Sequence, residues 1–262
     1  MRRYLRLWLS FLKMSWMADF EYRLNISVRV LGEIVWYIAQ LSVFEVLYTH
    51  TQAINGWDVH AVRVFMGSLF VVDAVYSLLF AENLDHISSL VRRGDLDMYL
   101  SKPVNSQFMV SCRKISSSQV INLLMVCAYL GWAISRLERD VSVAQALAYG
   151  FLLVCGLVTH YSMRFLVSTL AVILQEAGNL QYLWYQLYRL ATRPDPIYPS
   201  ALRNFVLFVL PIAFIASVPA RLLVEGVSPV LLGAAPCLAL GLLWLSHKAW
   251  EGALRRYASA SS

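Results

Sequence analysis

Six apolar stretches, each about the length needed to cross a bilayer, constrain this 262-residue chain more than any other feature. A hydrocarbon layer about 30 Å thick needs about 20 mainly apolar residues, each adding about 1.5 Å of helical rise. Segments that meet this measure fall near Ser27–Thr49, Ala61–Ala81, Ser117–Ser135, Ala144–Leu174, Ala201–Pro219 and Pro229–His247. The composition agrees, with 59% hydrophobic and only 15% charged residues, where a soluble domain carries about a quarter charged. The expected class is an all-α polytopic membrane protein with six transmembrane helices. No composition shift marks a soluble domain, and no repeat of the solenoid type is visible.

The net charge of +6 raises the question of nucleic acid. Its basic residues recur in the polar gaps rather than along one stripe with aromatic partners, so they read as membrane orientation and no nucleic-acid partner is expected. Fifteen of the 22 lysines and arginines lie in the N-terminal stretch, in the gap around Arg92, in the gap around Arg189 and Arg193, and at the C-terminus. The positive-inside rule then puts both termini and the Arg92 and Arg189 gaps in the cytoplasm.

Arg3, Arg6, Ser10 and Lys13 recur every three or four residues in the N-terminal stretch, with Leu5, Trp8, Leu9, Leu12 and Trp16 between them. That pattern predicts an amphipathic helix lying in the bilayer interface. The charges that interrupt it and the lack of a small-residue cleavage site read as part of the mature chain rather than a signal peptide. The predicted organisation is an N-terminal interfacial helix over 1–26, a six-span domain over 27–248 and a C-terminal tail over 249–262.

Reactive constellations are missing from the pattern. Cys112, Cys127, Cys155 and Cys237 form no C-x-x-C spacing, and His160 has no second histidine or cysteine one helical turn away, so no metal is assigned. No G-x-S-x-G elbow appears. No glycine is followed by lysine, so the phosphate-binding sequence G-x-x-x-x-G-K-[ST] is absent and any ATP chemistry must come from another polypeptide. Catalytic and cofactor-binding residues are therefore assigned to none.

Ionisable groups within the spans are functional candidates by default. Glu33, Glu45, Asp73 and Arg164 qualify. Asp73 near the middle of the second span and Arg164 toward the inner half of the fourth admit an interhelical pair. Glu33 and Glu45 sit near opposite ends of the first span, where interfaces or neighbouring helices are in reach.

The gap from Glu82 to Asn105 is charged and turn-rich. Asn83 suits an N-cap, Gly94 a C-terminal stop, and Leu84, Ile87, Leu90 and Val91 make an apolar stripe between them. Such a stripe packs either on the protein's own helices or in a partner's groove. The gap from Gln175 to Ser200 reads as a helix leaving the bilayer and ending at Pro194, Pro196 and Pro199. Pro211 and Pro219 break the fifth span, and a small re-entrant or interfacial element is expected between Pro219 and Pro229 at the outer face.

Two blocks carry a family resemblance. The run Arg93-Gly94-Asp95-Leu96-Asp97-Met98-Tyr99-Leu100-Ser101-Lys102-Pro103 is similar to the glycine–acidic–Leu-Asp and basic-Pro pattern of a six-span branch of ABC-2 type permeases. Pro194-Asp195-Pro196-Ile197-Tyr198-Pro199, followed by Phe208-Val209-Leu210-Pro211 and by Pro219-Ala220, is similar to a second block of that branch. Ser101 departs from it, since an apolar residue is commoner there.

The resemblance implies a permease subunit of an ABC-2 type ATP-driven exporter in the bacterial cytoplasmic membrane. Its cytoplasmic coupling helix would be seated in a cleft of a separate ABC ATPase subunit that holds ATP and Mg. On this resemblance the coupling residues are Ile87, Leu90, Val91, Arg92, Arg93, Gly94, Asp95, Leu96, Asp97, Lys102 and Pro103. A second permease copy or a paralogous permease would complete the pathway, and the bilayer is the surrounding partner. The cargo reads as hydrophobic or amphipathic. The alternative is an ATPase-independent secondary transporter or channel using Asp73 and Arg164.

Overall fold

A computed structural model of the chain describes residues 2–21, 23–137, 139–174, 178–226 and 228–257. Among the described residues the secondary structure is helical, and no strand forms. In chain order the helices are α1 (Arg2–Glu21), α2 (Arg23–Thr49), α3 (Val59–Tyr76), α4 (Glu82–Arg93), α5 (Leu96–Leu100), α6 (Ser106–Cys112), α7 (Ser118–Ser135) and α8 (Val143–Leu174). Then come α9 (Gly178–Tyr188), α10 (Ser200–Asn204), α11 (Ala213–Val224) and α12 (Pro229–Arg256).

Local chemistry sets several of these ends. Asp58 caps α3 by accepting from Ala61 N at 2.8 Å. Ser142 and Gln145 form a reciprocal capping box at the start of α8, at 3.2 and 2.9 Å. Ser228 precedes Pro229 at the first turn of α12, where a missing N–H is harmless.

The core is built around α3. Val62, Phe65, Met66, Leu69 and Phe70 are buried against α7, α8 and α11. Gly67 lets α7 approach so closely that a Cβ there would lie 2.9 Å from Leu130 Cδ1. Peripheral α2 turns Val28, Leu31, Val35 and Val43 outward. It is tied to α3 by a bidentate bond from Arg63 to Glu45, at 2.6 and 2.7 Å.

Among the described residues, five helical stretches are long and apolar enough to cross a membrane: Ile26–Thr49, Val59–Arg93, Ser118–Ser135, Val143–Leu174 and Pro229–Arg256. The second is continuous from α3 into α4 through a π turn, Ser77–Ala81. It is therefore about 50 Å long and projects beyond the hydrocarbon. α1, α4 to α6 and the C-terminal half of α12 share one end of the molecule, called here the basic end. Trp250 Nε1 donates to Ser106 Oγ at 3.0 Å, and Arg3 Nη2 to the Pro103 carbonyl at 3.2 Å.

The fifth crossing differs from the sequence expectation. Gln181 Nε2 donates to the Asp85 carbonyl at 3.1 Å near the basic end, and Tyr188 Oη donates to Asp73, near the middle of the continuous helix formed by α3 and α4. Asn55 Nδ2, in the loop that precedes α3, donates to the Pro196 carbonyl at 2.7 Å at the far end. Residues 178–196 therefore traverse the layer, as α9 followed by two 3-10 turns, a path of roughly 30 Å. Arg189 and Arg193 lie on this crossing and not in a loop at the basic end.

Residues 200–224, expected to hold the fifth span as Ala201–Pro219, instead form a hairpin hung from the far end. α10 continues through a π turn, Phe205–Val209, and the chain then bends by 110° into α11. The bend falls at Pro211, which has no N–H to continue the helix. α11 returns to the far end, where Arg139 Nη1 donates to the Val224 carbonyl at 2.8 Å and Trp57 Nε1 to Glu225 Oε1 at 2.6 Å. Pro219 is inside α11, so the re-entrant element is larger and begins earlier than the sequence implied. At its turn the backbone is so near α8 that a Cβ on Gly156 would lie 2.5 Å from the Ile215 carbonyl oxygen.

Asp195 holds the hairpin. Its carboxylate, 1% exposed, accepts from Ser217 Oγ at 2.5 Å, from Arg203 Nε at 2.9 Å and from Arg221 Nη2. One side chain at the end of the fifth crossing thus binds both α10 and α11.

Two measurements test this architecture. In a cysteine-free background, an impermeant maleimide is expected to label Ser200→Cys from the same face as Ser142→Cys and from the face opposite Ser101→Cys. Asp195→Asn leaves two arginines around a neutral group and is expected to cost about 3–5 kcal/mol, read as a lowered melting temperature in detergent.

Candidate functional site

Two features stand out: the elbow at the basic end and a large cavity beside α3. The elbow begins where α4 stops at Gly94, which adopts φ 74, the left-handed conformation open to glycine. α5 follows at once. After a turn, α6 is capped by Asn105, whose side chain accepts from Phe108 N at 3.0 Å.

The apolar stripe of α4 packs on the protein itself. Leu84, Ile87, Val91 and Leu96 are buried with Tyr99, Met109, Phe165 and Trp250 in a second core, and Leu90 is half-buried. Of the predicted coupling residues, Ile87, Val91 and Leu96 are therefore internal. Arg92, Arg93, Lys102 and Pro103 are exposed, Gly94, Asp95 and Asp97 are half-buried at the tip, and Met98 is 61% exposed among them. Met98 was not among the predicted contacts, although its place between the buried Leu96 and Tyr99 fixes an outward direction.

Asn83 does not cap a separate helix, because α3 and α4 are continuous. Its side chain instead accepts from Lys114 N at 2.9 Å and donates to the Lys114 carbonyl at 2.7 Å, while Glu82 pairs with Lys114 Nζ. Ser116 N donates to the Leu78 carbonyl at 3.1 Å, inside the π turn. α1 straps the elbow from the other side: Asn105 N donates to Tyr4 Oη at 3.3 Å and Ile115 N to Ser15 Oγ at 3.1 Å. Burial pushes the Cys112 thiol up to about 12. It therefore stays protonated at neutral pH and is a poor nucleophile.

The cavity has a volume of about 1220 Å³ and lies between α2, α3, α8 and the fifth crossing. Glu33, Asp73 and Arg164 all line it, yet Asp73 and Arg164 do not pair. Arg164, 2% exposed, binds Asp85 of α4 and donates to Ser168 Oγ at 3.3 Å. Asp73 accepts from Tyr188. Glu33 accepts from Gln119 Nε2 at 3.4 Å, and Glu45 is engaged by Arg63 as described.

His160 is clasped between the rings of Tyr76 and Tyr188, at centroid distances of 4.1 and 4.6 Å, and among the described residues its Nδ1 has no hydrogen-bond partner. The partners Asp85 and Tyr188 escaped the sequence reading because both had been placed in cytoplasmic gaps. Among the described residues no three His, Cys, Asp or Glu side chains gather closely enough to hold a metal ion.

α3 and α4 form one shaft from the far end to the elbow, the cavity opens along its middle, and the Arg164–Asp85 pair joins α8 to its lower part. Residues 34–261 match the family described as ABC-2 family transporter protein. No curated protein and no solved structure matches the chain.

Gly94→Ala places a Cβ on a left-handed backbone and is expected to cost about 1 kcal/mol. The melting temperature is expected to move by only a few degrees, while limited proteolysis of folded protein cuts faster between Arg92 and Lys102.

Proposed function

This chain belongs to the ABC-2 transporter family, and we propose that it is the permease subunit of an ATP-driven exporter whose ATPase is a separate polypeptide. The observation that carries the reading is the elbow. Its apolar side is locked into the second core, while Arg92, Arg93, Met98 and Lys102 stand on the surface at the tip of a continuous helix. A partner that grips those side chains moves a rigid lever and not a loop.

In this reading the basic end is cytoplasmic, both termini lie inside a bacterial inner membrane, and ATP and Mg reside on the ATPase. Nucleotide binding draws the elbows toward one another, which tilts α3 and α4 and changes the shape of the cavity. ATP binding and hydrolysis favour different arrangements, so coupling depends on how much more tightly the ATPase holds one arrangement than the other. The exposed face of α9, with Tyr182, Leu183 and Tyr185, and the lipid-facing flank of α2 border the cavity. A second permease copy or a paralogue on that side completes its wall, and the mixed aromatic and polar lining suits a hydrophobic or amphipathic cargo. The hairpin held by Asp195 covers the exit side. The Asp73–Arg164 pair on which the alternative of an ion path was drawn does not form, because Arg164 is bound to Asp85.

Charge reversal at the tip, Arg92→Glu with Arg93→Glu, is expected to lower ATPase association or substrate-stimulated hydrolysis by about tenfold or more without shifting the melting temperature. Ile87→Asp, by contrast, is expected to abolish folding. Transport by proteoliposomes holding this chain alone, without any ATPase, would refute the proposal.

A further inference from the structure

The cavity contains an acidic side chain with no strong basic partner. Asp73 faces it from α3, roughly 21 Å below the start of that helix. Among the described residues no lysine or arginine is within ion-pair distance of its carboxylate. Its contacts are the Tyr188 hydroxyl and, at 3.7 Å, His160 Nδ1, which is beyond a hydrogen bond. Of the four arginines on the same walls, Arg164 is bound to Asp85, Arg189 reaches Gln186 Oε1 at 3.4 Å, and Arg29 and Arg193 are exposed.

Aromatic rings line the cavity that this carboxylate faces. Tyr76, His160, Tyr188 and Trp184 form a stack, with His160 and Trp184 centroids 5.9 Å apart and Trp184 and Tyr188 centroids 5.7 Å apart. Trp36 and Tyr37 line the cavity from α2. Among the described residues, His160 Nδ1 and Tyr76 Oη, two buried polar atoms of the stack, find no hydrogen-bond partner. A carboxylate inside hydrocarbon requires a counter-charge. The faces of aromatic rings are electron-rich, so they attract cations and repel anions.

We infer that the cavity binds amphipathic organic cations, with the Asp73 carboxylate as counter-ion and Tyr76, Trp184 and Tyr188 as the ring wall. This rests on the permease reading and names the cargo class of that same cavity. The size is adequate, since about 1220 Å³ exceeds the usual range for small-molecule sites of about 300–1000 Å³. Arg164 and Asp85 bound the basic end of the site as a neutral pair, one helical turn below His160. The cationic head lies at Asp73 and the apolar body extends toward Trp36 and Phe44.

The test uses two ions of the same four-phenyl shape and opposite charge, tetraphenylphosphonium and tetraphenylborate. Each is titrated against the purified full-length chain in an uncharged detergent, with protein-free micelles subtracted. The cation is expected to bind at least about tenfold more tightly than the anion. Asp73→Asn is expected to weaken the cation about tenfold and leave the anion no weaker, and Asp73→Glu is expected to retain binding.

Equal or tighter binding of tetraphenylborate by the unaltered chain overturns the inference, as does unchanged cation affinity in a monodisperse Asp73→Asn protein. Should Asp73→Asn not fold, the comparison of the two ions on the unaltered chain still decides, together with Trp184→Leu. That variant must weaken the cation, and no change in it sinks the ring wall. Because no ATPase is present, the exporter reading is judged separately. Cation binding without stimulation of the assembled complex leaves the site standing and removes the exporter. Stimulation by amphiphiles with no preference for charge leaves the exporter standing and removes the site.

Discussion

A single buried carboxylate, Asp195, fixes the far half of this protein. Hydrocarbon tolerates a broken helix only where protein surrounds the exposed backbone and its polar groups find partners. The hairpin from Ser200 to Val224 meets that condition because Asp195 receives Arg203, Arg221 and Ser217 together, while Arg139 and Asn55 cover carbonyls at its rim. A buried charge with three donors is tolerable, and the same charge with one removed is not. The constraint also explains why the fifth crossing ends in 3-10 turns and prolines: the chain must present Asp195 to both arms at one point.

The basic half is organised by apolar packing instead. Leu84, Ile87 and Val91 of α4 pack with Phe165 and Val172 of α8 and with Trp250 of α12, so three long helices share one core beneath the elbow. The elbow is consequently an extension of the bundle and moves with it. Between the two halves is the cavity, whose walls are the least constrained part, because α2 has few inward-facing residues.

Much of this was legible in the sequence. The 20-residue apolar measure found α7 and α8 nearly to the residue, as well as the end of α2 and the start of α12, although α12 runs on past His247 to Arg256; Gly94 was identified as the stop of α4 from its type and place alone. The fifth crossing was not legible, because Gln181, Gln186, Arg189 and Arg193 depress its hydropathy and only eleven of its residues are α-helical. Those polar groups face the cavity or the Asp85 carbonyl, and a window average cannot tell such a lining from a solvated loop. The converse error befell Ala201–Pro219, whose apolar content satisfied the measure although its course turns back at Pro211. Charge pairing failed for a related reason. Asp73 and Arg164 looked complementary only while Asp85 was assigned to water.

The widened turn at Ser77–Ala81 carries a last consequence. Its Leu78 carbonyl receives Ser116 N, and Asn83 just below grips Lys114 through both of its backbone groups. The root of α7 is therefore stitched to the middle of the neighbouring shaft at three points. A torque applied at the protruding tip cannot be absorbed by swivelling there, and α7 must travel with α3 and α4 as one rigid vane.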